Sequence, residues 1–371
     1  MKKIFTIEIP ESRNFGLDLL RFFAIFFVVA DHSTKYLPKE YIKFLHFFLF
    51  DGVTFFFVLS GFLIGGILIK ILNNADFTKK TLFDFWKRRW FRTVPAYFLI
   101  LCILLILNLL FTPIFSLTDK LRYFIFFQNF KTPHPLFFPE AWSLSVEEWF
   151  YIITPIIIFI LINIVHLNTK KSILYTAIFV IGFTIFYRFC RYFITIDQSL
   201  YNINVWDAFF SKQVITRLDS LMFGVLAAYI KNYHSNLWNT NKIAFFAVGI
   251  VLILINKFQL FGSANFYHSV LHFTFLSVGV VLLLPLLESC KRASSPIATS
   301  ITYISLISYS MYLVNLSLVQ LWIIDRLEFL NELNQYFAYT KFLTFLFLIY
   351  IISFLLYKYF EIPTTKLRDK K

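Results

Sequence analysis

Charged side chains are scarce in this sequence: Asp, Glu, Lys and Arg make up 15% of its 371 residues. A water-soluble domain needs a larger charged share to cover its surface. Hydrophobic residues make up 58% of the chain, and this share includes the 21% that are aromatic. The composition therefore excludes a soluble globular protein and predicts a polytopic membrane protein of the all-α class.

Cysteine is also rare. Cys102, Cys190 and Cys290 lie far apart in or beside apolar stretches, so the sequence predicts neither a disulfide framework nor a metal site. Long basic runs and zinc-type Cys/His spacings are missing too, so the net charge of +14 does not indicate nucleic-acid binding. Basic residues in loops beside a bilayer explain this charge, and lipid is the expected partner.

Ten apolar segments approach the length of about 20 residues that a helix needs to cross the hydrocarbon core. We place these spans near 16–36, 46–70, 94–114, 146–166, 173–192, 214–230, 243–259, 267–287, 302–324 and 340–358. No internal repeat or low-complexity linker separates them, so residues 1–371 are expected to form one domain. No small-residue cleavage site follows the first segment, which is therefore expected to remain as a signal anchor.

Lys and Arg are unevenly distributed among the loops. Placing both termini in the cytoplasm puts the larger share of these residues on the inner side, as the positive-inside rule requires. The bias rests mainly on "KKTLFDFWKRRWFR" (79–92), where basic residues are interspersed with Phe and Trp. We expect this stretch to form an interfacial helix.

The first span carries ionisable residues near both ends: Asp18 and Arg21, then Asp31 and His32. Arg21 and His32 are eleven residues apart, so they share one helix face and lie about 16 Å apart along the axis. Such residues usually face a bundle interior or a water-filled path and mark functional sites. Alternatively, Arg21 pairs with Asp18 at the cytoplasmic interface, and His32 merely lies at the opposite headgroup level.

A second polar cluster lies in "EAWSLSVEEWFYIITP" (140–155), where Glu147 and Glu148 open the fourth span among aromatic residues. Adjacent helix positions point about 100° apart, so one of these carboxylates is expected to face protein. A buried carboxylate near a histidine orients the imidazole and raises its basicity. Alternatively, both residues mark the membrane interface together with an aromatic belt.

Seven motifs follow one another along the chain. They are Arg21-x10-His32, "FFFVLSGFLIGGIL" (55–68), "FWKRRWFRTVPAYFL" (85–99), "WSLSVEEWFY" (142–151), "RLDSLMFGVLAA" (217–228), "SYSMYLVN" (308–315) and "YFEIP" (359–363). In this order the chain resembles the membrane acyltransferase-3 family over nearly its full length. The resemblance implies about ten spans and the transfer of acyl groups, mostly acetyl from acetyl-CoA, to hydroxyls of surface carbohydrates and other acceptors.

The resemblance also implies roles for individual residues. It makes His32 the candidate catalytic base, Arg21 its partner and Glu147 the family's matching glutamate. Because Glu147 and His32 lie near the outer ends of their predicted spans, we expect a hydrogen bond between them. Arg88 and Arg89 match the family's basic cytoplasmic loop and are expected to bind the nucleotide phosphates of the donor, although positive-inside anchoring explains each of them equally well.

One position departs from the family pattern. The pattern "SYSxYLxH" ends here in Asn315 instead of histidine. We expect Asn315 to replace that histidine as a hydrogen-bond donor only, and we do not count it among the catalytic residues.

Acyl transfer from a thioester to an alcohol requires a base, donors for the oxyanion and a binding site for a polyanionic carrier. The expected co-substrate is acyl-CoA, with acetyl-CoA as the first choice, and no tightly bound cofactor is expected. The expected acceptor is a lipid-linked or cell-surface glycan (O-antigen, capsule or exopolysaccharide) at a bacterial-type inner membrane. No esterase-like domain follows the last span, so we expect the protein to act alone or to pass its acyl group to a separate protein.

Two other functional classes stay open at this point. A transporter or proton-coupled channel would use Arg21, His32 and Glu147 as a polar path, although no inverted repeat is visible. The other class is a structural subunit of a polysaccharide export complex. Binding or hydrolysis of acetyl-CoA that depends on His32 would distinguish the enzyme from both.

Overall fold

The computed structural model describes residues 7–10, 13–74, 76–111, 117–195, 201–258, 266–292, 295–327 and 339–368. Over these residues the chain forms helices and no strand, which confirms the all-α prediction for this part. The helices are α1 (Phe15–Ser33), α2 (Lys39–Phe48), α3 (Gly52–Asn74), α4 (Lys79–Phe111), α5 (Leu117–Phe124), α6 (Ala141–Asn163), α7 (Thr169–Cys190), α8 (Ile203–Trp206), α9 (Val214–Tyr233), α10 (Ser235–Asn239), α11 (Lys242–Phe258), α12 (His272–Ser289), α13 (Pro296–Val314), α14 (Thr340–Leu356) and α15 (Ile362–Leu367). A π-helical segment, Asn315–Ile323, continues directly from α13.

Within the described ranges, seven helical stretches are long and apolar enough to cross a membrane. They are Lys39–Asn74, Lys79–Phe111, Ala141–Asn163, Thr169–Ile194, Tyr267–Ser289, Pro296–Arg326 and Thr340–Leu367. By length and composition these stretches are those of an integral membrane protein.

Three further predicted spans coincide with α1, α9 and α11. Helices α1 and α9 carry several charged residues, and α11 has 17 residues, so none of them is recognised by hydropathy and length alone. The count of ten spans therefore stays a prediction. Residues 112–114 and 259, at the ends of two predicted spans, lie outside the described residues.

The basic and aromatic stretch 79–92 differs from its prediction. It is the first part of α4, which continues without a break through Pro95 to Phe111 and so forms one helix of 33 residues. The Tyr309 hydroxyl donates to the Thr93 carbonyl oxygen at 2.8 Å, close to the proline. Prolines are tolerated inside membrane helices, and this contact connects α4 to α13 beside Pro95.

Helices α3 and α9 pack at backbone contact through two glycines. A Cβ atom on Gly61 would lie 1.8 Å from the Leu221 carbonyl oxygen, and one on Gly224 would lie 2.2 Å from the Val58 carbonyl oxygen. Small residues allow this close approach of helices in membranes. A larger side chain at either position would force the two helices apart.

Buried charges connect α7, α9 and α12. Arg188 Nη2 lies 2.6 Å from Asp219 Oδ2, both side chains are fully buried, and the same nitrogen donates to Thr274 Oγ1 at 2.8 Å. The guanidinium carbon of Arg217 lies 3.7 Å from the centre of the Phe273 ring. Charges removed from water need such partners, so these contacts fix how the three helices pack.

We predict that Gly61→Ala destabilises the protein, because the new methyl group collides with the backbone of α9. Overpacking of this kind costs about 1–3 kcal/mol. The measurement is the midpoint of thermal unfolding of the purified protein in detergent, which should fall.

Gly66→Ala is the matched control. Gly66 lies on the same helix, but a Cβ atom there would have no atom within 4 Å. Alanine favours a helix over glycine by about 1 kcal/mol, so this variant should be as stable as the unmodified protein or more stable. Equal midpoints for the two variants would contradict the assigned α3–α9 contact.

Candidate active site

A cavity of about 540 Å³ opens between α1, α3, α4, α6, α13 and α15. Its wall carries more basic than acidic side chains. The basic residues are Arg13, Arg21, Arg89, Arg92, Lys366 and Arg368, and the acidic residues are Glu147 and Glu361. A cleft lined by an excess of one charge concentrates ligands of the opposite charge, so this cavity suits an anion.

The two ends of the described chain meet at this cavity. Pro10 and Arg13 precede α1, Lys366 and Arg368 lie at the end of α15, and all four line the cavity together with Arg89. Both ends therefore lie at one end of the helix bundle. Their placement in the cytoplasm stays a prediction.

Arg21 faces the cavity. It lies 3.6 Å from Asp18 Oδ1, but Asp18 has closer partners, because it accepts a 2.8 Å bond from Arg13 Nε and a 2.9 Å bond from Ser305 Oγ. The Asp18–Arg21 pair of the alternative interpretation is thus present as a long contact. Since Asp18 is held mainly by Arg13 and Ser305, Arg21 keeps donor capacity towards the cavity.

The basic stretch of α4 contributes Arg89 and Arg92 to the cavity, whereas Arg88 is exposed and does not line it. The structure therefore separates Arg88 from Arg89, which the sequence analysis grouped together. The buried Nε of Arg89 has no hydrogen-bond partner among the described residues. The i, i+3 spacing of Arg89 and Arg92 on one helix face is the signal that could have identified the second arginine.

Glu147 and Glu148 point to different neighbours. Glu147 lines the cavity, accepts a 2.5 Å hydrogen bond from Ser60 Oγ of α3 and interacts electrostatically with Arg21. Glu148 is buried against α4 and accepts a 2.8 Å bond from Thr93 Oγ1. One glutamate therefore faces the cavity and the other faces a helix, as adjacent positions on a helix require.

The prediction of a hydrogen bond between Glu147 and His32 is wrong. Among the described residues, Glu147 is bonded to Ser60, while His32 is bonded to Asn315. The cause is the start of α6, which lies at Ala141 and not at the predicted 146. Five more residues place Glu147 about 7.5 Å deeper along the axis than expected, away from the helix end where His32 lies.

His32 is half-buried in the last turn of α1 and does not line the cavity. Its Nδ1 is hydrogen-bonded to Oδ1 of Asn315. The amide nitrogen of Asn315 donates to the carbonyl oxygens of Met311 at 2.9 Å and Tyr312 at 2.8 Å. Towards His32, Asn315 is therefore an acceptor, which corrects the expectation that it acts as a donor only.

Glu140 is a residue that the sequence analysis missed. It immediately precedes α6, is buried, and accepts bonds from the Ser317 backbone N–H at 3.0 Å and Ser317 Oγ at 2.5 Å. Burial raises the pKa of its carboxyl to about 7, although the Ser317 donors act in the opposite direction. The available signal was a glutamate next to Ala141 and Trp142, seven residues before the pair that was singled out.

Tyr312 connects the cavity with the histidine. It lines the cavity, and its carbonyl oxygen binds the Asn315 amide. Its hydroxyl accepts from Ser143 Oγ at 2.6 Å and donates to the Glu140 carbonyl oxygen at 3.1 Å. The site thus combines a basic cavity at one end of the bundle with an oriented imidazole beyond Tyr312. Such an arrangement suits proton abstraction near a bound anionic carrier.

Comparisons with known proteins identify the family of this chain. A family model for an acyltransferase domain, acyltransferase-3, matches residues 14–358. The O-acetyltransferase OatA of Staphylococcus aureus is 29% identical over 229 residues, which cover 58% of this chain and 34% of that protein.

Two further relatives carry similar descriptions. The peptidoglycan O-acetyltransferase OatA of Listeria monocytogenes is 31% identical over 177 residues, covering 43% of this chain and 26% of that protein. The putative peptidoglycan O-acetyltransferase YrhL of Bacillus subtilis is 36% identical over 160 residues, covering 38% and 23%. The matched region is thus about a third or less of the length of these relatives.

No solved structure matches the chain. The family match extends from the start of α1 to the end of α14; six of the seven ordered motifs lie within it, and the seventh (359–363) follows it directly. The resemblance seen in the sequence is therefore confirmed, and the chain belongs to the acyltransferase-3 family.

Proposed function

We propose that the protein transfers an acyl group, in the simplest case acetyl from acetyl-CoA, to a hydroxyl of a cell-surface or lipid-linked glycan. The observation that carries the proposal is the basic cavity with the imidazole of His32 beyond its Tyr312 end. Relatives named as peptidoglycan O-acetyltransferases support a glycan as acceptor. The spans and the family support a membrane location, which we assign to a bacterial-type inner membrane.

The cavity supports acyl-CoA as the donor. Its basic side chains come from four parts of the chain: the segment before α1, α1 itself, α4 and the end of α15. A nucleotide carrier with several phosphates matches this charge, and arginine binds phosphate through paired N–H groups. The buried Nε of Arg89, which has no hydrogen-bond partner in the described part of the chain, is a donor that such a ligand would satisfy.

The separation along α1 supports distinct roles for its two ends, carrier binding near Arg21 and proton removal at His32. Arg21 lies at the cavity, and His32 lies eleven residues further on, about 16 Å along the axis. This distance is of the order of an extended pantetheine arm. A carrier whose phosphates lie among the arginines would therefore present its thioester towards the histidine, and His32 would remove the acceptor's hydroxyl proton.

The test of this proposal is His32→Ala. Loss of a general base typically costs a factor of about 10² to 10⁴, so acyl transfer should fall by that amount while the protein still folds. The measurements are release of CoA from acetyl-CoA by the purified protein and the O-acetyl content of the host's surface glycans by mass spectrometry. Near-normal turnover by a well-folded variant would refute the mechanism, and a protein that does not bind acetyl-CoA would favour a transporter.

A second prediction compares two neighbouring arginines. Arg89→Ala should raise the KM for acetyl-CoA more than it lowers kcat, because it removes an interaction made equally in the ground and transition states. Arg88→Ala is the matched control, since Arg88 is exposed and does not line the cavity. If both variants changed only expression or membrane orientation, the arginines would be positive-inside anchors.

A third prediction compares Glu147→Gln with Glu148→Gln. Glu147 lines the cavity and interacts electrostatically with Arg92 and Arg21, so its neutralisation should lower the rate of CoA release strongly with little change in expression. Glu148 contacts Thr93 of α4, so its variant should be milder. Equal tolerance of both changes would reduce the pair to markers of the membrane interface.

A further inference from the structure

Asn315 lies where the helix type changes. It follows the last residue of α13 and begins the π-helical segment Asn315–Ile323. Its side chain is fully buried and forms three hydrogen bonds, to His32, Met311 and Tyr312. π-helical turns within α-helices occur frequently at functional sites, so this position is a candidate for a functional role.

The orientation of the Asn315 amide follows from its partners. Met311 and Tyr312 offer carbonyl oxygens, which only accept, at 2.9 and 2.8 Å from the amide nitrogen. Exchanging the nitrogen and oxygen would bring an amide oxygen against both carbonyls and remove two hydrogen bonds. The amide oxygen therefore faces His32.

The tautomer of His32 follows in turn. An amide oxygen accepts hydrogen bonds and cannot donate, so the proton between Asn315 and His32 belongs to Nδ1 of the imidazole. In the neutral ring, a proton on Nδ1 leaves the lone pair on Nε2. Within the described part of the chain no residue is hydrogen-bonded to Nε2, so none of these residues competes for its lone pair.

The π-helical segment is itself held in place beside His32. Glu140 accepts from the backbone N–H and the hydroxyl of Ser317. Gln320 Nε2 donates to the His32 carbonyl oxygen at 3.3 Å. The segment thus contacts His32 through two of its side chains, Asn315 at the imidazole and Gln320 at the carbonyl oxygen, and both contacts restrain the end of α1.

We propose that Asn315 is the positioning residue that fixes the tautomer of His32 and makes Nε2 the nitrogen that accepts the hydroxyl proton. The catalytic part of this inference rests on the proposed function, and the tautomer itself does not. The family's histidine at this position is replaced here by an amide whose two carbonyl partners hold its oxygen, an acceptor, towards His32. A residue that fixes the tautomer of a catalytic histidine acts through that histidine and not on the substrate.

The first test needs no substrate. ¹⁵N spectra of protein labelled at its seven histidines are recorded at a pH where the rings are neutral, and His32 is assigned from the signal missing in His32→Gln. The expected result is a protonated Nδ1 and an unprotonated Nε2 for His32. A neutral ring with its proton on Nε2 would overturn the proposal.

The second test separates the acceptor role from a packing role. Asn315→Asp keeps an acceptor oxygen but loses the two N–H donors to Met311 and Tyr312, whereas Asn315→Leu loses both functions. We expect Asn315→Leu to lower kcat by about 10²-fold with little change in KM. Asn315→Asp should keep most of the activity that the Leu variant loses. Equal losses would show that the donors, and hence helix packing, account for the effect.

Asn256→Leu is the control for removing a buried amide. Asn256 lies on α11, is buried and accepts from the Tyr267 hydroxyl. Its variant should lower thermal stability and leave kcat unchanged. If His32→Ala kept its activity while the spectra showed the expected tautomer, the proposed function would fail and the tautomer assignment would stand. If His32→Ala lost its activity while the spectra showed the proton on Nε2, only the tautomer assignment would fail.

Discussion

The structure depends on one constraint: ionisable side chains on α1 lie inside an apolar environment and need protein partners there. Helix α13 and its π-helical continuation supply them. Ser305 donates to Asp18 near one end of α1, and Asn315 binds His32 near the other. The two helices therefore lie side by side over this length, and the walls of the cavity follow from their contact.

Arginines lie in two kinds of environment in the described part of the chain. Arg188 and Arg217 are enclosed by protein: the first donates to Asp219 and Thr274, and the second lies against the Phe273 ring and donates to Thr54. Arg89 faces a cavity that also holds other cations. The enclosed arginines stabilise helix packing, while a cluster of like charges facing an opening is costly without a counter-ion. The two groups therefore differ in what lies opposite their charge: protein partners for the enclosed arginines, and an open cavity for Arg89.

The sequence predicted the positions of the long helices well, because hydrophobic length is a strong signal in a membrane protein. It also selected Arg21, Arg89 and Glu147, which the fold brings to one cavity. It failed at the start of α6, since the weakly polar "AWSLS" has no strong hydropathy boundary. The roles of Glu140 and Asn315 depend on contacts between distant helices, and no local pattern reports which way an amide points.

The π-helical segment has a consequence for the register of the chain. Residues five apart on an α-helix point about 140° away from each other, so Asn315 and Gln320 could not both reach His32 from one. Hydrogen bonding from i to i+5 brings such positions together. The segment therefore acts like a single inserted residue that the wider winding absorbs, so that both side chains stay on the face that meets the end of α1. Removing one residue between the two and restoring ordinary winding would leave them four positions apart, about 40° around the axis, and would keep that shared face.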